Sequence, residues 1–320
     1  MKILITGGAG FIGSHIADAC LKAGFRTHIV DNLTTGSIKN VPEEATFHQL
    51  DIRNDAVERL WKQERYTILI HAAAQMNVRK SVEDPIMDAD INVLGSLNLL
   101  EAGRKYGLRQ VIFSSTGGAI YGEPQFTPQD ENHPVLPVSP YGITKHTLEN
   151  YLHYYTNEYD IQSVSLRYSN VFGPRQNSKG EAGVVAIFTE KLLNGEQCVI
   201  NGNGEQTRDY VYVDDVVQAN MKAINAKKSE TYNVGTGVET SVNKLYHKIR
   251  YLINPDAEAQ HGPAMPGEQQ RSVIDAGKLS RELKWEQNYS LDKGLKKTVE
   301  WFKSRPKSSD PGSDRLTRML

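Results

Sequence analysis

The stretch Lys2-Ile3-Leu4-Ile5-Thr6-Gly7-Gly8-Ala9-Gly10-Phe11-Ile12-Gly13 decides the fold. A short β-branched and apolar run from Lys2 to Thr6 leads directly into glycines, and the spacing beyond predicts a helix over Phe11–Leu21. Gly7 permits a sharp turn, Gly10 lets the backbone approach a pyrophosphate, and Gly13 lets the helix pack closely on the strand. The helix start, with Phe11 and Ile12 in its first turn, aims its amide dipoles at the phosphates. A glycine turn alone also occurs in ordinary strand–helix connections. Asp31 decides between the two: it ends the next apolar run, Thr27–Asp31, about twenty residues after the glycines. A carboxylate there accepts both adenosine ribose hydroxyls and repels a 2′-phosphate, so the expected cofactor is NAD rather than NADP.

Working outward, Phe47–Leu50, Ile68–His71, Val111–Ser115 and Ser163–Arg167 are runs of the same kind, mostly separated by helix-like stretches. Continuous apolar strands between amphipathic helices predict an α/β fold, a doubly wound parallel Rossmann sheet covered on both faces. Such sheets bind ligands beyond the carboxyl ends of their strands. Asp51 and Ile52 follow the third run, and Ala72, Ala73 and Ala74 follow the fourth, on that same rim. After Ser169 the rhythm changes to a loop over Asn170–Gly183, a helix Val184–Leu193 and a turn at Asn201–Gly204. The expected division is an NAD-binding domain over 1–168 with a return segment at about 208–235, and a smaller α/β substrate domain from 169–207 and 236–303. Residues 304–320 lack hydrophobic periodicity and are expected to form a mobile tail.

Composition narrows the function. Among 320 residues, 37 Lys+Arg against 38 Asp+Glu give a net charge of −1, so no overall positive field holds a nucleic acid or an anionic membrane surface. No apolar run approaches the ~18 residues of a membrane span. Met1-Lys2 leads into too short an apolar stretch for a secretory leader, and Cys20 and Cys198 cannot build a disulfide framework; a cytoplasmic enzyme is expected. The nine histidines include no His-x-x-x-His pair, so no metal is expected.

Tyr141 and Lys145 lie four apart behind Ser139-Pro140, which reads as an N-cap and a first-turn proline, so both side chains share one helix face. An ammonium beside a phenol stabilises its phenolate. Such spacing arises by chance in a chain with 15 Tyr. What raises it is the preceding strand, which brings Ser114, Ser115 and Thr116 to the sheet rim near the expected nicotinamide. A hydroxyl donor, a phenol and an ammonium can together run proton and hydride exchange at a sugar alcohol.

The ordered set Gly7-x-x-Gly10-x-x-Gly13, Asp31-Asn32-Leu33, Ser114-Ser115-Thr116, Tyr121-Gly122, Tyr141-x-x-x-Lys145, Arg167 to Pro174 and Gln206 to Tyr210 resembles the extended short-chain dehydrogenase/reductases over about residues 1–303. The match is nearest to the NAD-dependent UDP-sugar 4-epimerases. That resemblance implies that Tyr141 is the base for the sugar 4-hydroxyl and that Lys145 holds the nicotinamide ribose and lowers the tyrosine pKa. It implies that Thr116 bonds the 4-oxygen, with Ser115 the alternative. Asn32, Asn92 and Tyr168 fall on the cofactor side, and Asn170 and Arg208 on the diphosphate. In the second phosphate clamp, Met265 stands where the family has a basic residue before Pro266-Gly267; Arg271 either supplies that charge or faces solvent. Ser272 falls where some members carry a tyrosine narrowing the pocket at the sugar 2-substituent, so an N-acetyl group is expected to fit beside a plain hydroxyl. The resemblance also implies a homodimer built on helices at about Met87–Tyr106 and Tyr141–Glu158.

Three other readings compete. A 4,6-dehydratase needs an acidic pair after the active-site threonine, where this chain has Gly117-Gly118. A UDP-glucuronate epimerase or decarboxylase needs an arginine for the extra charge, such as Arg79 or Arg175. A non-catalytic NAD sensor would carry a broken Tyr-x-x-x-Lys, and this one is intact.

Overall fold

The strands of the large sheet bury apolar residues on both faces, and the alternation of side chains feeds two separate cores. In a computed structural model describing residues 1–178, 183–264 and 269–305, the strands are β1 (Lys2–Thr6), β2 (Arg26–Asp31), β3 (Thr46–Gln49), β4 (Ile68–His71), β5 (Gln110–Thr116) and β6 (Gln162–Tyr168). The helices between and after them are α1 (Phe11–Lys22), α2 (Ala56–Glu64), α3 (Val78–Glu83), α4 (Pro85–Ala89), α5 (Gly95–Tyr106), α6 (Gly117–Ile120) and α7 (Pro140–Tyr159). A π turn over Asp90–Leu94 joins α4 to α5.

The strands pair in parallel in the order β10-β6-β5-β4-β1-β2-β3, where β10 is Glu230–Val234. The order reverses between β1 and β4, and such a crevice is where doubly wound sheets bind their ligand. Ile3, Ile5, Ile29 and Ile70 pack on one face with Ile16 and Ala17 of α1. Leu4, Val30, Leu69 and Phe113 pack on the other with Trp61, Leu99 and Leu148 from α2, α5 and α7. This is the doubly wound parallel α/β fold that the strand runs predict.

The remaining strands are β7 (Asn170–Phe172), β8 (Cys198–Asn201), β9 (Thr207–Tyr212), β11 (Glu239–Ser241) and β12 (Ala259–Gly262); the helices α8 (Val184–Asn194), α9 (Val213–Ala223) and α10 (Val242–Ile253) accompany them. β7 and β11 flank β9 in a second sheet, and β8 pairs with β12. Phe172, Phe188, Tyr210, Leu245 and Ile249 form their shared core. Asn170–Gly183, read from sequence as a loop, begins with β7, because Asn170–Phe172 pairs in parallel with Tyr210–Tyr212. Of the return segment, β10 joins the large sheet, whereas β9 joins β7 and β11. Among the described residues no helix is long and apolar enough to cross a membrane.

Candidate active site

The β1–α1 turn is closed by contacts that only glycine permits. Gly7 has φ +70°, and a Cβ there would lie 2.7 Å from the Ala73 amide nitrogen. A Cβ on Gly13 would lie 2.2 Å from the Gly7 carbonyl oxygen, so the helix sits directly on the turn. Gly10 takes the N-cap position of α1 with no side-chain cap. Asp31, at the end of β2, accepts from the amides of Ala9 at 3.0 Å and Leu33 at 2.8 Å. Those bonds fix the carboxylate over the glycine turn while leaving lone pairs on each oxygen. Beside it, Asn32 donates to Asp51 at 3.0 Å, and Arg53 clasps Asp51 through Nε and a terminal nitrogen at 2.9 and 2.8 Å. The guanidinium holds the Asp51 carboxyl far below the usual carboxylate range. Ile52 is buried under Gly95. Ala72 donates to the Thr6 carbonyl and Ala73 to the Thr6 hydroxyl, which draws the loop after β4 onto the turn. Uncapped amides, close glycines and an anchored acid suit an adenine dinucleotide.

Catalytic candidates converge at the end of β5. Ser139 caps α7 by accepting from the Gly142 amide at 3.2 Å, and Pro140 opens the helix, as its sequence indicates. The Lys145 ammonium donates to the Ser114 carbonyl at 2.8 Å and lies 4.7 Å from the Phe113 ring centroid and 5.8 Å from that of Tyr141. Burial pushes the Lys145 pKa down to about 8. Burial and the charge of Asp88 raise that of Tyr141, and a hydrogen bond from Thr116 acts the other way. The Thr116 hydroxyl thus meets the phenol at the rim.

Ser115 and Thr116 are separated by the pleat. Ser115 lies one residue earlier, on the opposite face, and its Oγ donates to Glu149 of α7 at 2.6 Å. Glu149 in turn holds Arg167 in a double contact at 3.0 and 2.6 Å, and Arg167 donates to the Tyr121 hydroxyl at 2.9 Å. The Ser115 hydroxyl is therefore spent inside the protein, away from Tyr141. Tyr168 is also internal: its hydroxyl meets Ser114 at 3.2 Å and Asn220 of α9 at 2.8 Å, so its side chain braces β5 and β6 against α9 instead of lining the rim. Asn92 is a satisfied buried amide that grips the rim loop, accepting from the Gln75 amide at 2.8 Å and donating to the Gln75 carbonyl at 2.9 Å.

On the substrate side, Asn170 is exposed at the start of β7, its Oδ1 lying 3.6 Å from where a Cβ on Gly118 would sit. Arg208 is half-buried on β9 and donates to the Thr207 carbonyl at 2.8 Å. Arg271 is clasped by Glu239 of β11 at 2.9 and 2.8 Å. Since β9 pairs with β11, both arginines come to one sheet, where Arg271 has a carboxylate partner in Glu239. Ser272 is buried, two residues before Ile274, whose side chain covers Gly117. Met265, Pro266 and Gly267 lie outside the described residues. Arg175 pairs with Asp18 of α1 at 2.8 Å. Among the described residues no group of three metal-binding side chains occurs.

Sequence reasoning missed Asp88, Glu149 and Asp209. Glu149, one turn beyond Lys145, carried a local signal, and Asp209 stood inside the Gln206–Tyr210 motif without a role of its own. Asp209 is fully buried and accepts from the backbone of Thr236, Gly237 and Ile274, tying β9 to the segment that carries Ser272.

A glycine turn, an anchored acid and a Thr–Tyr–Lys cluster at one sheet rim define a dinucleotide-dependent enzyme. Residues 3–235 match the NAD dependent epimerase/dehydratase family, and the chain belongs to that family. It is 47% identical over 302 residues to a putative UDP-glucose 4-epimerase of Methanocaldococcus jannaschii, covering 94% of this chain and 98% of the relative. It superposes with a TM-score of 0.93 on a UDP-glucose 4-epimerase from Thermotoga maritima solved with UDP-glucose, at 46% identity, covering 95% of this chain and 99% of that one. A Thermus thermophilus UDP-glucose 4-epimerase in complex with NAD gives 0.92 at 42% identity, covering 96% and 100%.

Proposed function

We propose that the protein is an NAD-dependent isomerase that inverts C4 of a UDP-hexose, interconverting UDP-glucose with UDP-galactose and UDP-GlcNAc with UDP-GalNAc. The observation that carries this reading is the convergence of the Thr116 hydroxyl, the Tyr141 phenol and the Lys145 ammonium at the end of β5, beside the glycine turn. Gly7, Gly10, Gly13 and Asp31 would hold NAD, which would supply a reversible hydride acceptor for C4. Tyr141 removes the 4-hydroxyl proton and gives it back, so no net oxidation results. Lys145 lowers the cost of the phenolate by its positive charge, and Thr116 donates to the 4-oxygen as negative charge develops there. Asn170 and Arg208 bind the diphosphate, for which a guanidinium supplies paired donors.

Gly117 and Gly118 carry no group able to protonate a leaving hydroxyl, which argues against dehydration. Arg175, engaged by Asp18, is not offered to a uronate carboxylate. The division into a cofactor domain (1–168 with 208–235) and a substrate domain belongs to the same proposal, supported by the separate cores on the two sheets. So does a homodimer through the helices at about Met87–Tyr106 and Tyr141–Glu158, where Leu94 of the π turn and Ile143 of α7 are more than half exposed, with Val82 and Ile86 exposed just before them. A cytoplasmic location is supported by two free, buried cysteines.

The test is proton NMR of UDP-glucose, UDP-GlcNAc and UDP-glucuronate, each incubated with the protein and catalytic NAD. Galacto epimers of the first two, without accumulating NADH, support the proposal. Conversion of the uronate alone, or of none, overturns it.

A further inference from the structure

Behind the reacting pair lies a carboxylate that the proposed reaction does not use. Asp88 of α4 is fully buried. Its Oδ1 accepts from the side-chain amides of Gln75 at 2.8 Å and Asn92 at 3.0 Å, and its Oδ2 accepts from the Thr144 hydroxyl at 2.9 Å. All three donors are neutral. Gln75 stands in the rim loop after β4, and Asn92 in the π turn, an irregularity that often marks a functional position. Thr144 lies in α7 between Tyr141 and Lys145. One carboxylate therefore ties the cofactor rim to the helical turn that carries both reacting groups.

A buried charge held only by neutral donors is costly unless a cation shares its surroundings. The Lys145 ammonium is that cation: Asp88 acts to keep it protonated against burial, and the same negative charge works against ionisation of Tyr141. Glu149 also favours the charged Lys145, after Asp88, but it is paired with Arg167 and lies beside His146, and His71 of β4 is held neutral by burial. On the elements packed against α4, Arg79, Lys80, Glu83 and Asp84 are exposed, and Asp90 pairs with Arg53.

We propose that Asp88 is the positioning residue of the Tyr141–Lys145 pair, bracing α7 against the cofactor rim and serving as the counter-charge that keeps the buried Lys145 an ammonium. This rests on reading Tyr141 and Lys145 as the reacting pair, but its charge component can be measured without turnover.

Asp88→Asn is nearly isosteric: its amide oxygen accepts from Gln75 and Asn92, and its amide nitrogen donates to the Thr144 oxygen. The Lys145 ammonium is titrated by NMR in cofactor-free, 15N-lysine-labelled protein, with its signal assigned by its absence in Lys145→Met. The wild-type midpoint of about 8 is expected to fall by about one pH unit or more in Asp88→Asn. In Asp88→Glu, which keeps the charge, it is expected to stay near the wild-type value. In the holoenzyme the alkaline limb of kcat moves down with the Asp88→Asn titration, while KM changes less. A wild-type midpoint in Asp88→Asn overturns the proposal, as does an Asp88→Glu shift equal to that of Asp88→Asn. If Asp88→Asn does not fold, Asp88→Ser is read by the same criteria. A wild type that turns over no UDP-hexose but shows the expected titrations refutes the epimerase reading and leaves the counter-charge standing.

Discussion

Gly13→Ala places a methyl group 2.2 Å from the Gly7 carbonyl oxygen, 2.8 Å from the Gly7 carbonyl carbon and 3.0 Å from the Gly8 Cα, where ordinary contact begins at 3.4 Å. Every atom it meets is backbone, so no side chain can rotate away. The start of α1 must lift from the β1–α1 turn by about 1 Å, with an overpacking cost of about 1–3 kcal/mol in the cofactor-free protein. That lift moves the first-turn amides off the pyrophosphate position. A misplacement of about 1 Å in a positioned group can cost about a hundredfold, or roughly 2.7 kcal/mol of NAD affinity. Gly10→Ala is the control: its Cβ meets only the Gly7 oxygen at 3.1 Å, a clash relieved by a few tenths of an ångström. It is expected to leave the melting temperature nearly unchanged while blocking the cofactor. Calorimetric titration with NAD and thermal unfolding of both variants separate the two effects. A Gly13→Ala protein with wild-type affinity and wild-type melting temperature refutes the steric argument.

Thr116→Val removes the rim hydroxyl and is expected to lower kcat about a hundredfold or more with little change in melting temperature, whereas Ser115→Ala costs about 1–3 kcal/mol of stability and leaves turnover within a few-fold; steady-state kinetics beside melting curves read both. Burial lowers the Lys145 pKa to about 8 in the folded protein from the ordinary lysine value of 10.5, so the unfolded chain binds the extra proton between those values. Stability therefore rises with pH through that window, while activity falls as pH passes 8. Lys145→Met is expected to be inactive and to lose this rise of stability between about pH 8 and 10.5, read by melting curves across that range. Ser272→Tyr is expected to suppress turnover of UDP-GlcNAc relative to UDP-glucose at least tenfold, and an unchanged ratio of kcat/KM values contradicts the gate.

The parts of the site that sequence made legible are local. Strand, glycines, helix and acid follow one another within 31 residues, and the predicted strands agree with β1 to β6 to within a residue at each end. The Ser139-Pro140 signal placed the start of α7 for the same reason, since a cap bonds only to its own first turn. Thr116 and Ser115 could not be separated that way, because a shift of one residue in a strand exchanges its faces. Only the position of Glu149, 34 residues on from Ser115, shows which hydroxyl is spent inside. For Asp88, only Asn92 lies one turn away; its partners Gln75 and Thr144 are brought to it by the fold. For Arg271 the sequence left a phosphate charge and a solvent-facing residue as alternatives, and its partner Glu239 comes from β11, 32 residues away.

In the proposed reaction the hydride leaving C4 returns to the same sugar. The most direct measurement uses UDP-glucose deuterated at C4 in ordinary water, followed by NMR and mass spectrometry of the UDP-galactose formed. The deuterium is expected to be retained at C4 of the product, with no build-up of reduced cofactor. Loss of the label to solvent, or stoichiometric NADH with a released keto sugar, would contradict it.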